Sequence, residues 1–557
     1  MPTLTWIGKE KVINHHHDVP FKVLEHQYGF KENDGVVEEP VNSGNKIIHG
    51  DNLEALKSLL PEYEGKIKCI YIDPPYNTGN ENWVYNDNVN YPKIKKWLGQ
   101  VVGKESDDLS RHDKWLCMMY PRLKLLHRLL RNDGSIFISL DENETHNLRL
   151  ILNEVFGENR FVAQISLLCN PKGRSQDKYF STNHEYCIVY SKSLLPNGAF
   201  SVQKGLDLID QEYKHLDELG KFRFLELRNT HREFNKENRP NLFYPLFANS
   251  ETGKVSINRD KDFTIEILPI WPDGFEGCWT WGKDLAMKEC DKLLAIKKKN
   301  IWKIYRKAYA ELDNGEAVKK KLFTIWHNSL FYTEKGQATF GEIFPGLNKN
   351  DFPQPKSVDY IKEIVNTCTE SDSIILDSFA GSGTTAHAVL NLNKQDGGNR
   401  KFILIEMEDY ADSITAERVK RVINGYGDKE GTGGSFDFYE LGKPLFVGEN
   451  NEFLNEEVEI EKIRGYVWYS ETRDSRQSLV FSLKSDNEYF LGMHNDTAYY
   501  FIYEKQALTT LDYDTLSTIK TKAVQYVIYA DNCLLSKEFM MSKNIIFKKI
   551  PRDITRF

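Results

Sequence analysis

Short apolar runs alternate with stretches of helical spacing through most of the chain, and several of the runs stop at an acidic residue. Lys46-Ile47-Ile48-His49 predicts a strand ending at Gly50-Asp51-Asn52, with an amphipathic helix following over 53–60. Ile67-Lys68-Cys69-Ile70-Tyr71-Ile72 predicts a second strand, apolar on both faces as in a parallel sheet. Asp73-Pro74-Pro75-Tyr76 must end it, because proline has no N–H for the ladder. Two such strands joined by a helix make a βαβ unit. The polar, Asn-rich stretch 77–110 is too long for a plain connection and reads as a lid or binding loop. A helix over 115–130, a turn at Asn132-Asp133-Gly134, a strand over 135–140, a helix over 147–156 and strands near 161–168 and 186–190 complete this half.

From about 200 to 335 the rhythm is lost and the chain becomes rich in charge and aromatics. It returns at Ser373-Ile374-Ile375-Leu376-Asp377, a strand entering Ser378-Phe379-Ala380-Gly381-Ser382-Gly383-Thr384-Thr385 and a helix over 386–392, then a strand Phe402-Ile403-Leu404-Ile405 ending in Glu406. The predicted organisation is a polar extension at 1–40, two halves of one α/β sheet at 41–200 and 336–446 around an insertion at 201–335, and an α+β domain at 447–557.

Composition narrows the class. At 557 residues the chain is too long for one core, and 40 % apolar with 28 % charged residues is ordinary for a globular protein. No apolar stretch is long enough to span a membrane and the start has no signal-peptide pattern, so a cytosolic protein is expected. The eight cysteines are scattered without a CxxC pair and read as buried thiols. Three consecutive histidines, His15 to His17, cannot all face one metal, and no metal site is expected. The net charge of −8 argues weakly against a nucleic-acid partner, but residues 283–321 hold twelve Lys/Arg against six Asp/Glu, with Trp302, Tyr305 and Tyr309 interleaved. That run reads either as a solvated face or as a DNA-facing surface.

Two loops carry the candidate chemistry. Asp73 and the Pro74 carbonyl can both accept hydrogen bonds from an exocyclic amino group, and Tyr76 offers a ring face for a flat base. The alternative is an ordinary strand-to-loop turn, where Asp-Pro is common. Around Gly381 and Gly383, strand, glycine loop and helix start form a nucleotide-type cradle. Glu406, twenty-three residues after Gly383, stands where an acid commonly meets ribose hydroxyls. A phosphate-binding loop lacks its lysine here, and a dinucleotide fingerprint lacks a glycine. Asp377, Gly381, Gly383 and Glu406 therefore describe an adenosine-type cofactor lying across two strand ends.

Asp73-Pro74-Pro75-Tyr76 resembles the catalytic motif of amino-group DNA methyltransferases, and Asp377 to Thr385 resembles their S-adenosylmethionine motif. The order of the two motifs is similar to the β class of adenine-N6 methyltransferases, whose sheet is circularly permuted. Tyr76-Asn77-Thr78-Gly79-Asn80, Arg111-His112-Asp113-Lys114-Trp115-Leu116, Pro121-Arg122-Leu123, His184-Glu185-Tyr186 and Ile550-Pro551-Arg552-Asp553-Ile554 resemble the modification subunits of type III restriction systems.

The resemblance implies a circularly permuted, doubly wound S-adenosylmethionine-dependent sheet with an inserted target-recognition domain. It implies that Asp73, Pro74, Pro75 and Tyr76 hold a flipped adenine. Phe379, Gly381, Gly383 and Thr384 would surround the cofactor, Glu406 its ribose and Asp51 its adenine, while Phe352 and Lys356 belong to a segment at the methionine end that departs from the commoner Lys-Pro by having Ser357. The implied partners are double-stranded DNA, a second copy of the chain and a helicase-nuclease restriction subunit. Aromatics after 447, such as Tyr466, Trp468, Tyr499 and Tyr526, are the sequence ground for a homodimer. Alternatives are an orphan or type II-like methyltransferase, a DNA-specificity subunit without turnover, and a nicotinamide oxidoreductase.

Overall fold

The computed structural model describes residues 3–77, 108–174, 177–299, 301–311, 318–347, 352, 354–449, 451–473 and 488–556, with side chains in the second range from 111 onward. Most of the expected loop at 77–110, with Thr78, Gly79 and Asn80, and Pro353 lie outside these residues. The chain forms two compact units, one of Met1–Ala199 with Phe323–Phe557 and one of Phe200–Leu322.

The first unit is built on an eleven-stranded sheet. Its strands in chain order are β1 Lys22–Lys31, β2 Gly35–Val37, β3 Lys46–His49, β4 Ile67–Ile72, β5 Leu130–Leu140, β6 Phe161–Leu168, β7 His184–Ser191, β8 Ile325–Trp326, β9 Ile374–Asp377, β10 Lys401–Glu406 and β11 Ser435–Pro444. The spatial order is β8-β6-β7-β5-β4-β9-β10-β3-β11-β1-β2. From β5 to β11 every neighbouring pair is parallel. The chain leaves β4 toward β5 and leaves β9 in the opposite direction toward β10. The strand order thus reverses between β4 and β9, and such a reversal opens a crevice at the carboxyl ends of the strands.

Alternation along β4 assigns its two faces. Ile70 and Ile72 join the core formed by helices α1 Asn52–Tyr63, α2 Asp108–Leu129 and α3 Thr145–Phe156. Tyr71 points the other way, where Ser139 Oγ lies 3.0 Å from both its hydroxyl and that of Tyr360 on helix α5 Val358–Cys368. Helix α4 Thr333–Ile343 precedes α5, and α6 Thr384–Asp396 packs beside α5.

Three expectations change here. Residues 1–40 are not a plain polar extension: Lys22–Lys31 is a ten-residue strand paired antiparallel to β11. The charged residues Glu25 and Lys31 mask its alternation, since only one face is covered. His15 and His16 are buried, and the His16 and His17 carbonyls accept from Lys57 Nζ at 2.9 and 3.0 Å. The insertion ends earlier than 335, because Ile325 and Trp326 already pair with Ser166 and Leu167. The aromatics after 447 are not a spare surface either. Tyr466, Trp468, Tyr499, Phe501 and Tyr529 belong to the same core as the helices α1 to α3. Tyr469 accepts this role at a helix end as well, its hydroxyl bonded to Glu64, which also takes Arg128 Nε at 2.8 Å.

The second unit has its own core, centred on Leu227, Tyr244, Leu246, Trp279 and Ile304. An antiparallel sheet orders 293–298, 301–309, 220–226 and 215–217, beside a three-stranded sheet of 255–256, 246–248 and 265–267. Part of the basic run is neutralised there, with Lys303 on Glu226 at 3.2 Å and Lys307 on Asp217 at 2.7 Å. Among the described residues no helix is long and apolar enough to cross a membrane, and no group of three or more His, Cys, Asp or Glu is placed to hold a metal.

Candidate active site

The Asp73 loop and the glycine loop leave adjacent strands. Cys69 faces Ile375 and Ile70 faces Leu376, so the register carried forward sets Asp73 level with Phe379. Glu406 pairs with His49 on the far side of β9, which brings Gly50 and Asp51 to the same edge.

Residues 73–77 are held from the helix side. Trp115, fully buried on α2, donates from Nε1 to the Pro75 carbonyl at 2.8 Å. Asn77 adopts a left-handed backbone with φ 57° and is buried. Its amide donates to Glu144, which also stands 2.5 Å from His112 Nδ1 and accepts from Asn147 at 2.8 Å. These bonds account for the Arg111 to Leu116 segment that the sequence singled out. Among the described residues none donates to the carbonyl of Pro74, itself buried.

Asp73 and Tyr76 share a charged cluster with Glu185 of β7 and with Lys356. The Tyr76 hydroxyl lies 2.9 Å from Asp73 Oδ1 and 2.9 Å from Glu185 Oε2. It has a single proton to give, so only one carboxylate receives it at a time. Lys356 Nζ donates to that hydroxyl at 2.5 Å and to Glu185 at 2.8 Å, and lies 3.4 Å from Asp73 and 4.8 Å from the Tyr76 ring centre. Burial pushes the Asp73 carboxyl up, against the pull of Lys356. Burial acts the same way on Glu185, but Lys356 outweighs it and holds that carboxyl low. The ammonium therefore sits against Asp73 and over Tyr76.

The Lys356 segment reaches this place because α4 lets it. A Cβ at Gly336 would fall 2.0 Å from the Pro355 carbonyl, so only glycine allows that backbone to pass. Ser357, the departure from the commoner Lys-Pro, is the N-cap of α5: its Oγ accepts from Tyr360 N at 3.4 Å and donates to Leu330 O at 2.6 Å.

The glycine loop is shaped largely by its own backbone. The buried Asp377 carboxylate accepts from Phe379 N at 3.0 Å and Thr385 Oγ1 at 2.5 Å, and burial raises it to about 7. Glu406 accepts from three backbone N–H groups, Gly381 at 2.7 Å, Met407 at 2.9 Å and Glu408 at 3.1 Å, while burial again raises it to about 7. Asn52 donates to Ser378 O at 3.1 Å, and Arg122 holds Asn52 through Oδ1 at 2.5 Å. Asp51 caps α1, accepting from Leu53 and Glu54 N–H at 2.9 and 3.2 Å.

The two glycines differ. Both have positive φ, 53° at Gly381 and 80° at Gly383. A Cβ at Gly381 would meet only the Phe352 ring at 3.5 Å, so it would enter the cradle. At Gly383 it would press on Thr415 O at 3.0 Å, so that glycine serves close packing rather than ligand approach. Phe352 stacks on Phe340 at 5.4 Å and meets Tyr410 edge-on at 5.5 Å. Phe379 is buried in the main core, and Thr384 faces inward to Arg418.

Arg418 was not anticipated. It is fully buried on helix α7 Glu417–Asn424, and donates to Ser382 Oγ at 2.6 Å and Thr384 Oγ1 at 2.8 Å from beneath the loop. Burial lowers it to about 10. The one signal in the sequence is its spacing, four residues before Val422 on an apolar helix face. Glu185 had a signal too, an acid inside an apolar strand.

The Asp73 loop and the glycine loop thus leave the carboxyl ends of neighbouring strands. The chain is similar to the Mod subunit of the type III restriction-modification enzyme EcoPI from Escherichia phage P1, 37 % identical over 67 % of this chain but only 59 % of that protein's length. It is 34 % identical to the type II methyltransferase M.KpnI of Klebsiella pneumoniae, over 66 % of this chain and 82 % of that one. To the EcoP15I Mod subunit of Escherichia coli it is 28 % identical over 86 % of this chain and 71 % of the relative. The profile of the family described as DNA methylase (N6_N4_Mtase) matches residues 67–417, more than half of the chain, and the protein belongs to that family.

Proposed function

We propose that the protein transfers a methyl group from S-adenosylmethionine to the N6 amino group of adenine in double-stranded DNA, at a site chosen by the 200–322 unit. The observation that carries the reading is the juxtaposition of Asp73-Pro74-Pro75-Tyr76 and the glycine loop on the neighbouring strands β4 and β9. The residues present fit the cofactor. Gly381 leaves the cradle open where a side chain would fill it, and Glu406 Oε2, which accepts only from Gly381 N–H while Oε1 takes both Met407 and Glu408 N–H, keeps room for a ribose hydroxyl. When bound, the cofactor supplies a methyl group activated by its sulfonium.

The chain's own residues do the rest. Adenine N6 is a poor nucleophile because its lone pair is delocalised into the ring. Hydrogen bonds from the amino group to Asp73 and to the Pro74 carbonyl localise that pair and aim it, so positioning and electrostatics supply most of the rate. Lys356 must leave Asp73 for the amino group to arrive. Glu185 is an acceptor that can draw it away, and the carboxylate at the methionine end of the cofactor would be a second. The target base must first leave the helix stack.

Within the family, the type III modification role is supported by the EcoP15I Mod relationship, which runs over 86 % of the chain and so extends beyond the sheet. It brings a restriction subunit as partner. A type II-like enzyme without that partner is the second reading, because M.KpnI is covered over 82 % of its length. The eight cysteines, scattered along the sequence without a CxxC pair, suit a reducing, cytoplasmic location. A homodimer now rests on the resemblance alone, since the aromatics offered for it are buried within the chain.

The test is incorporation of tritiated methyl from S-adenosylmethionine into duplex DNA, with digestion to identify N6-methyladenine. Label in N4-methylcytosine, or none in DNA, would overturn the reading.

A further inference from the structure

The hairpin joining β6 to β7 has no role in the chemistry above, yet it begins and ends at the site. Its base is firm: Cys169 N and Asn170 N both donate to Asn183 O at 3.1 Å, and Arg174 N donates to Thr182 O at 3.1 Å. Asp177 accepts from Thr182 N at 2.6 Å and Ser181 Oγ donates to Arg174 O at 3.0 Å. Beyond that base stand Tyr179 and Phe180, 82 % and 91 % exposed. Water solvates two adjacent bare rings poorly, and such a patch marks a partner surface. Lys178 Nζ lies 5.1 Å from the Tyr179 ring centre, and Lys172, Arg174 and Lys178 form no ion pair among the described residues. Glu185, five residues after Phe180, is bonded to the Tyr76 hydroxyl, so the chain holds Phe180 within about 17 Å of it. A cavity of about 230 Å³ at the base of the hairpin is lined by Lys172, Arg174, His184, Glu185 and Glu334, so it reaches the carboxylate that bonds Tyr76.

Three cations around two bare rings match one partner, the DNA duplex: the cations suit phosphates and the rings suit the faces of bases. We infer that Tyr179 and Phe180 form the wedge that enters the base stack and holds the target adenine out, with Lys172, Arg174 and Lys178 on the flanking phosphates. The inference rests on the methyl-transfer reading and gives its base-extrusion step a structural agent. Extrusion leaves a gap that water fills poorly, and an apolar ring inserted at the step offsets the lost stacking.

The test uses the full chain, Tyr179→Ala/Phe180→Ala beside the wild type, on an oligonucleotide duplex carrying the methylated site found by mapping N6-methyladenine. With 2-aminopurine at the target position, fluorescence rises when the base leaves the stack. The double variant is expected to lose at least four-fifths of that rise, and to lower kcat/KM on the paired duplex at least tenfold. With the target adenine mispaired, its kcat/KM should stay within threefold of wild type, and S-adenosylmethionine binding should not change. Both residues are exposed, so the thermal midpoint should hold; Phe180→Trp, which keeps a ring, should restore the fluorescence. A double variant that extrudes and methylates like wild type overturns the inference, as does one equally impaired on the mispaired duplex. A wild-type protein that neither methylates DNA nor raises the fluorescence overturns the methyl-transfer reading and the wedge with it.

Discussion

The two loops at the mouth of the sheet are made stiff by different means. The Asp73 loop is braced by side chains from distant elements, Trp115, Glu144, Glu185 and Lys356, and it keeps a partly exposed charge at its centre. The glycine loop is braced by the acids Asp377 and Glu406, which take its Phe379 and Gly381 N–H groups, and by Asn52 and a buried arginine, and at Gly381 it leaves space. The difference suits the ligands they face. A loop that must polarise an amino group needs a carboxylate whose protonation is tuned by neighbours, whereas a loop that cradles a nucleoside needs room and fixed donors.

The largest break in this comparison is Asp73→Ala. Methyl transfer should fall by about 10³-fold, as when a group aimed at the reacting atom is removed, while S-adenosylmethionine binding stays within a few-fold. Tritiated methyl incorporation beside calorimetry reads both, and retained turnover would remove Asp73 from the chemistry. The glycine loop should break in the opposite sense. Gly381→Val fills the cradle at a left-handed position, so beyond about 1–3 kcal/mol of backbone strain it should weaken cofactor binding about 100-fold. Gly383→Val carries the same strain and also presses on Thr415 O, so it should cost more stability than Gly381→Val and less cofactor affinity. If thermal melts and calorimetry rank the two variants the other way, their roles are exchanged.

A smaller effect tests the bracing. Glu185→Gln keeps the shape but removes one charge holding Lys356, so Lys356 should turn more fully to Asp73. We expect kcat to fall about tenfold, within the range for losing one charge-assisted hydrogen bond, with cofactor affinity unchanged. Methylation that is unaffected would show that Lys356 needs no second acceptor.

How much of this was legible depends on what each residue hides behind. Strands such as Ile67–Ile72 and Ile374–Asp377 were readable because both faces are covered, and unbroken apolar runs have few other uses. Lys22–Lys31 was not, since an antiparallel strand at the sheet margin carries charges on its open face. That each of the two loops leaves a strand's carboxyl end was readable; that their strands are neighbours was not, because pairing partners lie about 300 positions apart. Nor was the bracing of Asp73, because Glu185 and Lys356 meet across 171 positions of sequence. Arg418 escaped because an arginine on a helix ordinarily points to water. The aromatics after 447 misled for the reverse reason, since alternation shows that a face is covered without saying whether the cover is the same chain.

The smallest predicted effect separates two carboxylates that burial treats alike. Asp377 and Glu406 are both raised to about 7, far above the ordinary range, so each favours its protonated form in the cofactor-free fold. For such a group the contribution to stability is complete below its unfolded value and is lost as pH rises through the folded one. The cofactor-free protein should therefore melt at lower temperature as pH goes from 5 to 8, and Asp377→Asn and Glu406→Gln should each flatten that slope. Binding separates them. Both acids are bonded within the loop, Asp377 to Phe379 N–H and Thr385 Oγ1 and Glu406 to three backbone N–H groups; the family resemblance gives the ribose to Glu406, whose Oε2 keeps a lone pair for a hydroxyl that would favour the charged form. Cofactor binding should then expel a proton from Glu406 below about pH 7, so that affinity rises about fivefold from pH 5.5 to pH 7 and levels off above, within the tenfold per pH unit that one proton permits. Subtracting the Glu406→Gln profile removes the titration of the cofactor's own amino group. Calorimetry in two buffers of different ionisation enthalpy counts the proton directly. An Asp377→Asn protein that loses the pH dependence, with Glu406→Gln keeping it, would mean that the ribose meets the other acid.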